Sequence, residues 1–298
     1  MSSPPTTLVL LVTEAVLAIS GLLWNGFIVT VIIPWTKCRT LASSEQLLLS
    51  LGLSNGCVTV VIGVLDLSFA LEYNFSSLIS EIWFSFFFLT VIFRYWLTAL
   101  LCFFYCIKIV NSTHTFFLWC KLKISWLIPR LLMGSIIISL SAFIVTLSTM
   151  HIPPQESPVV NNTMVSQGKL LKDTLTTFDV LFLTFGSGCP FLVVLLCSIL
   201  VVASLFGHVC QISGKEPHFR SFQAKAHIKA AGTVLSLLLL YLSFFTVQTF
   251  SMTVYKECND GFLWAMMAAY SPAQAAILVL TNPKLKQALC SMVQRTKL

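Results

Sequence analysis

The sequence predicts an all-α membrane protein: a seven-transmembrane helix bundle with its N-terminus extracellular. Three observations predict it. Of 298 residues, 57% are hydrophobic and only 10% are charged, and the mean hydropathy is +0.89; a soluble domain carries about 25% charged residues. The apolar excess is spread over seven long runs instead of one core, so lipid must be the solvent for most side chains. The basic residues, finally, cluster in alternate connections.

The seven runs fall at about 8–33, 44–70, 82–110, 126–150, 179–207, 230–253 and 263–281. Each can cross a hydrocarbon core of roughly 30 Å, which takes about 20 helical residues. The first is too long for a signal-peptide core and no basic region precedes it, so it is expected to stay as the first helix. The seven runs form one domain over 1–298, with a cytosolic tail at 282–298.

Orientation follows from lysine and arginine, because basic loops stay cytosolic. With the N-terminus outside, fourteen of the eighteen Lys and Arg residues lie on the cytosolic side, from Lys37 and Arg39 to Lys284, Lys286, Arg295 and Lys297. The outer loops hold three, Lys169, Lys172 and Lys256, and Arg94 lies within a helix. The net charge of +7 is thus a membrane-facing collar and not a nucleic-acid surface. In this topology the sequons at Asn74 and Asn161 are outside and are candidate glycan acceptors, while a third at Asn111 is cytosolic and should stay bare. The stretch 151–178, with Pro153, Pro154, Pro158 and Gly168, reads as the one long outer loop.

Chemistry-bearing patterns for catalysis are missing. There is no Ser/His/Asp set at one membrane depth, no H-E-x-x-H and no glycine-rich phosphate loop, so an enzyme is not expected. The ten cysteines fall mostly inside apolar runs, where a free Cys acts as a small hydrophobe. Neither they nor the histidines have metal-ligand spacing, and no cofactor is expected.

The layout is that of a G-protein-coupled receptor, although helix three ends Phe104-Tyr105-Cys106 where rhodopsin-like receptors carry an acidic-Arg-aromatic triplet. The segment from Trp96 through Leu97-Thr98-Ala99 and Phe103-Phe104-Tyr105-Cys106-Ile107-Lys108-Ile109, continuing at Phe117-Leu118-Trp119-Cys120-Lys121-Leu122-Lys123-Ile124, resembles a block of the bitter taste receptors (taste receptor type 2 family). Asn25-Gly26 in helix one, Pro190-Phe191 and Ser204-Leu205 in helix five, Ala226-His227-Ile228-Lys229-Ala230 in helix six, and Asn282-Pro283-Lys284-Leu285-Lys286-Gln287 at the end extend the resemblance to all seven helices. The chain departs from the pattern in three places. Asn55 follows Ser54 where the family has arginine, Gln274-Ala275-Ala276 replaces a helix-seven H-P-F, and Ala230-Ala231-Gly232 replaces A-L-K. It is a divergent member by this pattern.

The resemblance implies a multi-pass plasma-membrane receptor that binds small, largely hydrophobic bitter agonists and activates a heterotrimeric G protein. Phe84, Phe87, Phe88 and Val91 on helix three, Phe244 and Gln248 on helix six, and Trp264 and Met267 on helix seven lie in the outer half of their helices, and most of them match positions that line the family's agonist pocket. A concave apolar site with few polar groups suits such ligands; ordinary lipid-facing or packing surface is the better account of any one of these residues, and the pocket the better account of the set, which converges on one level. Asp66, near the outer end of helix two, either selects cationic amines or is a solvated helix end. Tyr105, Lys108, His208, His227 and Lys229 fall where the family engages its G protein, and the lysines also suit anionic headgroups.

Arg94 lies about 13 residues into helix three, roughly 20 Å below the outer surface at 1.5 Å per residue. A charge at that depth must face a polar interior. It is expected to have taken over from the missing helix-two arginine and to hydrogen-bond Asn55, Asn25 and helix-seven carbonyls, either biasing the packing state or simply fixing it. A vomeronasal type 1-like chemosensory receptor is the nearest alternative reading and a small-solute transporter a more distant one; homo- and hetero-oligomers are both left open.

Overall fold

In lipid a spanning chain must satisfy its own backbone groups, and helices do so within one segment. The computed structural model describes residues 4–38, 40–70, 77–110, 114–150, 177–212, 221–253 and 261–295, and among these there is no strand. The helices are α1 (Pro4–Cys38), α2 (Ser43–Ala70), α3 (Ser77–Ile109) and α4 (Thr115–Met150). The fifth, α5, runs through three segments, Thr177–Leu181, a π-helical Phe182–Gly188 and Cys189–Ile212. Then come α6 (Ser221–Thr253), α7 (Gly261–Thr281) and α8 (Pro283–Arg295). Six helices contain an apolar stretch long enough to cross a membrane, and α7 adds a shorter one, Ala265–Thr281.

The helices outrun the apolar stretches at their cytosolic ends. α4 begins at Thr115 instead of 126 and α6 at Ser221 instead of 230. Hydropathy marks the lipid-buried length only, and a helix continues into water when its residues allow it. The tail is likewise helical. Asn282 caps α8, its Oδ1 accepting from the backbone N–H of Lys284 (3.0 Å) and Leu285 (3.3 Å), and Pro283 occupies the first helical position, where its missing N–H costs nothing. Leu285 is buried against the bundle while Met292 and Val293 are exposed, as suits a helix lying in the membrane interface.

α3 is the axis of the bundle. It packs on α2, α4, α5 and α6, and α1 closes the ring between α2 and α7. Burial follows that order: 72% of the apolar window of α3 is inside the protein, against 17% for α4. Small residues set the closest approaches. A Cβ at Gly21 would sit 3.1 Å from Thr59 Oγ1 and 3.4 Å from Pro272 Cδ, where α1, α2 and α7 meet.

Candidate functional site

Two layers of buried polar side chains cross the bundle interior. The lower joins α1, α2, α3 and α7. Asn25 Nδ2 donates to the Gly21 carbonyl (2.8 Å) and to Ser271 Oγ (3.1 Å), and the Thr59 and Ser271 hydroxyls lie 2.8 Å apart. Asn55 Nδ2 donates to Gln274 Oε1 (2.9 Å), and Gln274 Nε2 in turn donates to Thr98 Oγ1 (2.8 Å) and reaches the Tyr270 hydroxyl at 3.3 Å. The Thr98 hydroxyl donates to the Arg94 carbonyl at 2.9 Å. Gln274, Asn55 and Thr98 are fully enclosed, so each bond matters: a buried group left unpaired costs about 1–3 kcal/mol.

Arg94 does not join this layer as expected. The amide oxygens of Asn25 and Asn55 have no hydrogen-bond partner, so neither accepts from it. The reason is geometric. Helical side chains lean toward the N-terminus of their helix, which on α3 carries Arg94 away from the asparagines and leaves Thr98, one turn later, to meet Gln274.

Arg94 instead belongs to an upper, aromatic layer. Its guanidinium lies 4.3 Å from the centroid of Tyr270 and 5.4 Å from that of Tyr95. It is 2% exposed, and its Nε and Nη1 have no partner. Cation–π contact contributes about 2 kcal/mol when desolvated, less than the several kcal/mol that an ion loses on leaving water. The Tyr95 and Tyr241 rings lie 5.0 Å apart, tilted by 52°, and Phe244 stands edge-on to Tyr270 at 4.6 Å. Two hydroxyls bind helices together: Tyr95 donates to Gln248 Oε1 (2.7 Å), joining α3 to α6, and Tyr241 donates to the Ser187 carbonyl (2.9 Å), joining α6 to α5.

That second bond lands in the π-helical segment. Gly188 is what permits the segment: a Cβ there would stand 2.5 Å from the Leu183 carbonyl oxygen. The wider turn places Phe182 on Phe88 of α3, centroids 4.9 Å apart. Single π turns within helices often mark functional positions.

Two of the expected agonist-pocket residues, Phe244 and Gln248, belong to the aromatic layer itself. Phe87, Phe88, Val91, Phe244 and Gln248 are buried, Phe84 and Met267 are half-buried, and Asp66 is half-buried on α2. Phe84 and Phe87 both pack edge-on against Phe88. The side chain of Trp264 lies outside the described residues, as do those of His208, His227 and Lys229, although all four fall on described helices. Asn74 and Asn161 lie wholly outside them.

Among the described residues, three cavities lie elsewhere. One of about 420 Å³ opens beside Asn25, Gly56 and Phe86 of α1, α2 and α3. Another of about 230 Å³ lies beside Ile92, Val145 and Phe182 of α3, α4 and α5. The third, about 240 Å³, is cytosolic and is lined by Tyr105 and Lys108 together with Glu45, Asn282 and Lys284. None of the eight described pocket and acid residues lines any of them. In the cytosolic cavity Lys108 lies over the Phe104 ring at 5.1 Å, and Lys284 pairs with Glu45 at 2.9 Å.

Sequence reasoning passed over Ser271, Thr59, Thr98 and the tyrosine triad. Their signal was depth: each falls near mid-span, level with Asn25, Asn55 or Arg94.

A bundle of apolar helices around a polar interior, with a basic cytosolic face, defines a multi-pass membrane protein. The family described as taste receptor protein (TAS2R) matches residues 1–297, and the chain belongs to it. Human taste receptor type 2 member 2 is 28% identical over 279 residues, covering 90% of each chain. Member 9 of Pongo pygmaeus is 31% identical over 297 residues, 93% of this chain and 90% of that one. Member 143 of Rattus norvegicus is 28% identical over 306 residues, 97% and 99%. Members of this family are plasma-membrane receptors, and the vomeronasal and transporter readings fall away.

Proposed function

We propose that the chain is a G-protein-coupled bitter taste receptor. A small, largely hydrophobic tastant enters from outside and binds between α3, α5, α6 and α7, against Phe88, Val91, Phe244 and Gln248. The observation that carries this reading is the Tyr95–Gln248 hydrogen bond of 2.7 Å. It fastens the expected pocket level of α6 to the central helix, so a ligand touching Gln248 acts on the α3–α6 contact. A ligand shifts the packing only as far as it favours one state over the other. Opening at the cytosolic end would then admit the terminal helix of a heterotrimeric G protein near Tyr105, Lys108, His208, His227 and Lys229. Glycans at Asn161 and Asn74 would sit on the opposite face.

The test is calcium flux in cells carrying a promiscuous G-protein chimera, challenged with a panel of bitter compounds. An agonist response that falls in Gln248→Ala at unchanged surface expression supports the reading. Uptake of labelled solute without any G-protein response would overturn it.

A further inference from the structure

Arg94 is buried on the central helix and makes no ion pair among the described residues, whereas Lys284 at the membrane face has Glu45. Its guanidinium rests on the Tyr270 ring with Nε and Nη1 unpartnered. Gln248 Nε2 is also buried without an acceptor, its Oε1 being occupied by Tyr95. The neighbouring hydroxyls are engaged, Tyr241 with Ser187 and Tyr270 with Gln274. Among the described residues, the unsatisfied groups of this aromatic layer, Arg94 Nε and Nη1 and Gln248 Nε2, are N–H donors, two of them on a cation. A neutral acceptor would satisfy the N–H groups and leave the charge uncompensated in a low-dielectric interior; an anion does both.

We infer that Arg94 binds an anion inside the bundle, either chloride or the carboxylate of a small aromatic ligand. The site lies one helical turn below Val91 on the same face of α3, with Gln248 bridged to it through Tyr95. The Tyr270 and Phe244 rings, in edge-on contact with each other at 4.6 Å, form one aromatic wall against which an aryl group could pack. This rests on the receptor reading above; where the anion is a ligand carboxylate, it names the ligand class as an aryl acid, opposite to the cations that Asp66 would favour.

Thermal unfolding of the purified full-length receptor in detergent tests it, followed with a thiol-reactive dye because Cys102, Cys106 and Cys197 are free and buried. One arm replaces chloride by gluconate at constant ionic strength. The other, in gluconate, compares 2-naphthoate with 2-naphthamide. The expected result is an unfolding midpoint several degrees higher with one anion than with its control, and loss of that difference in Arg94→Gln. A chloride effect alone assigns an inorganic anion; a naphthoate effect assigns a ligand carboxylate. Should Arg94→Gln not fold, Arg94→Lys decides, because an ammonium lacks the planar fork and must shrink the shift. No difference in the wild type, or an undiminished one in either variant, overturns the inference. An anion effect in a receptor that answers no tastant upholds the site and removes only the receptor reading.

Discussion

The Tyr241 hydroxyl donates a 2.9 Å hydrogen bond to the Ser187 carbonyl, tying α6 to the π-helical segment of α5. Both residues are fully buried, so Tyr241→Phe leaves a carbonyl short of a donor in a water-poor interior. It should cost about 1–3 kcal/mol, measured as a lower thermal midpoint of the purified receptor. Phe191 stacks on the same ring at 5.9 Å and still packs on the phenylalanine. Agonist potency should therefore change through the lost bond while surface expression persists.

Gln274 holds α2 and α3 to α7 through one side chain. Gln274→Ala strands Asn55 Nδ2 and frees Thr98, whereas Gln274→Glu keeps the acceptor and loses the donor. The alanine should lower stability more than Asn55→Ala does. The double variant should fall short of the sum of the two by about 0.5–3 kcal/mol, the range for residues in direct contact. A double-variant cycle on thermal unfolding measures it, and strict additivity would break the proposed link.

Much of the fold was legible in the sequence, because the bilayer imposes one rule on every spanning segment. Runs of apolar residues marked α1 to α7, and lysine and arginine oriented them. The cytosolic helix ends were not legible: Thr115 to Ser125 carries charge, and hydropathy cannot tell charged helix from charged loop. Arg94 was legible as an interior cation but its partner was not. Depth alone put it level with Asn55, while the lean of helical side chains toward the N-terminus put it on Tyr270. The π turn left only a faint trace, the glycines at 186 and 188.

Glu45 and Lys284 pair unequally. The carboxylate is 4% exposed and the lysine 59%, and Glu45 Oε2 also accepts from the Ala42 N–H at 3.0 Å, closing the start of α2. Removing the lysine should change stability by less than about 1 kcal/mol, as for screened pairs. Glu45→Ala loses the cap as well and should cost roughly 1–2 kcal/mol. Rising salt should weaken the Lys284 effect and leave the Glu45 cap effect in place. Thermal midpoints at low and high salt separate the two.

Gly188 carries the sharpest prediction. A methyl group at this position would stand 2.5 Å from the Leu183 carbonyl oxygen, a backbone atom that cannot swing aside as a side chain can. Gly188→Ala must therefore abandon the π turn. Converting it to α-helix removes one residue of slack and turns the outer end of α5 by about 100°, which takes Phe182 off Phe88. At Gly186 a Cβ would touch Ile92 and Phe182 side chains at 3.2 Å, contacts that yield by a few tenths of an ångström. Gly188→Ala should then abolish or strongly shift the agonist response while Gly186→Ala changes it modestly, both read by calcium flux at matched surface expression. Equal responses from the two variants would show that the π turn plays no part in how ligand contact on α3 reaches α6.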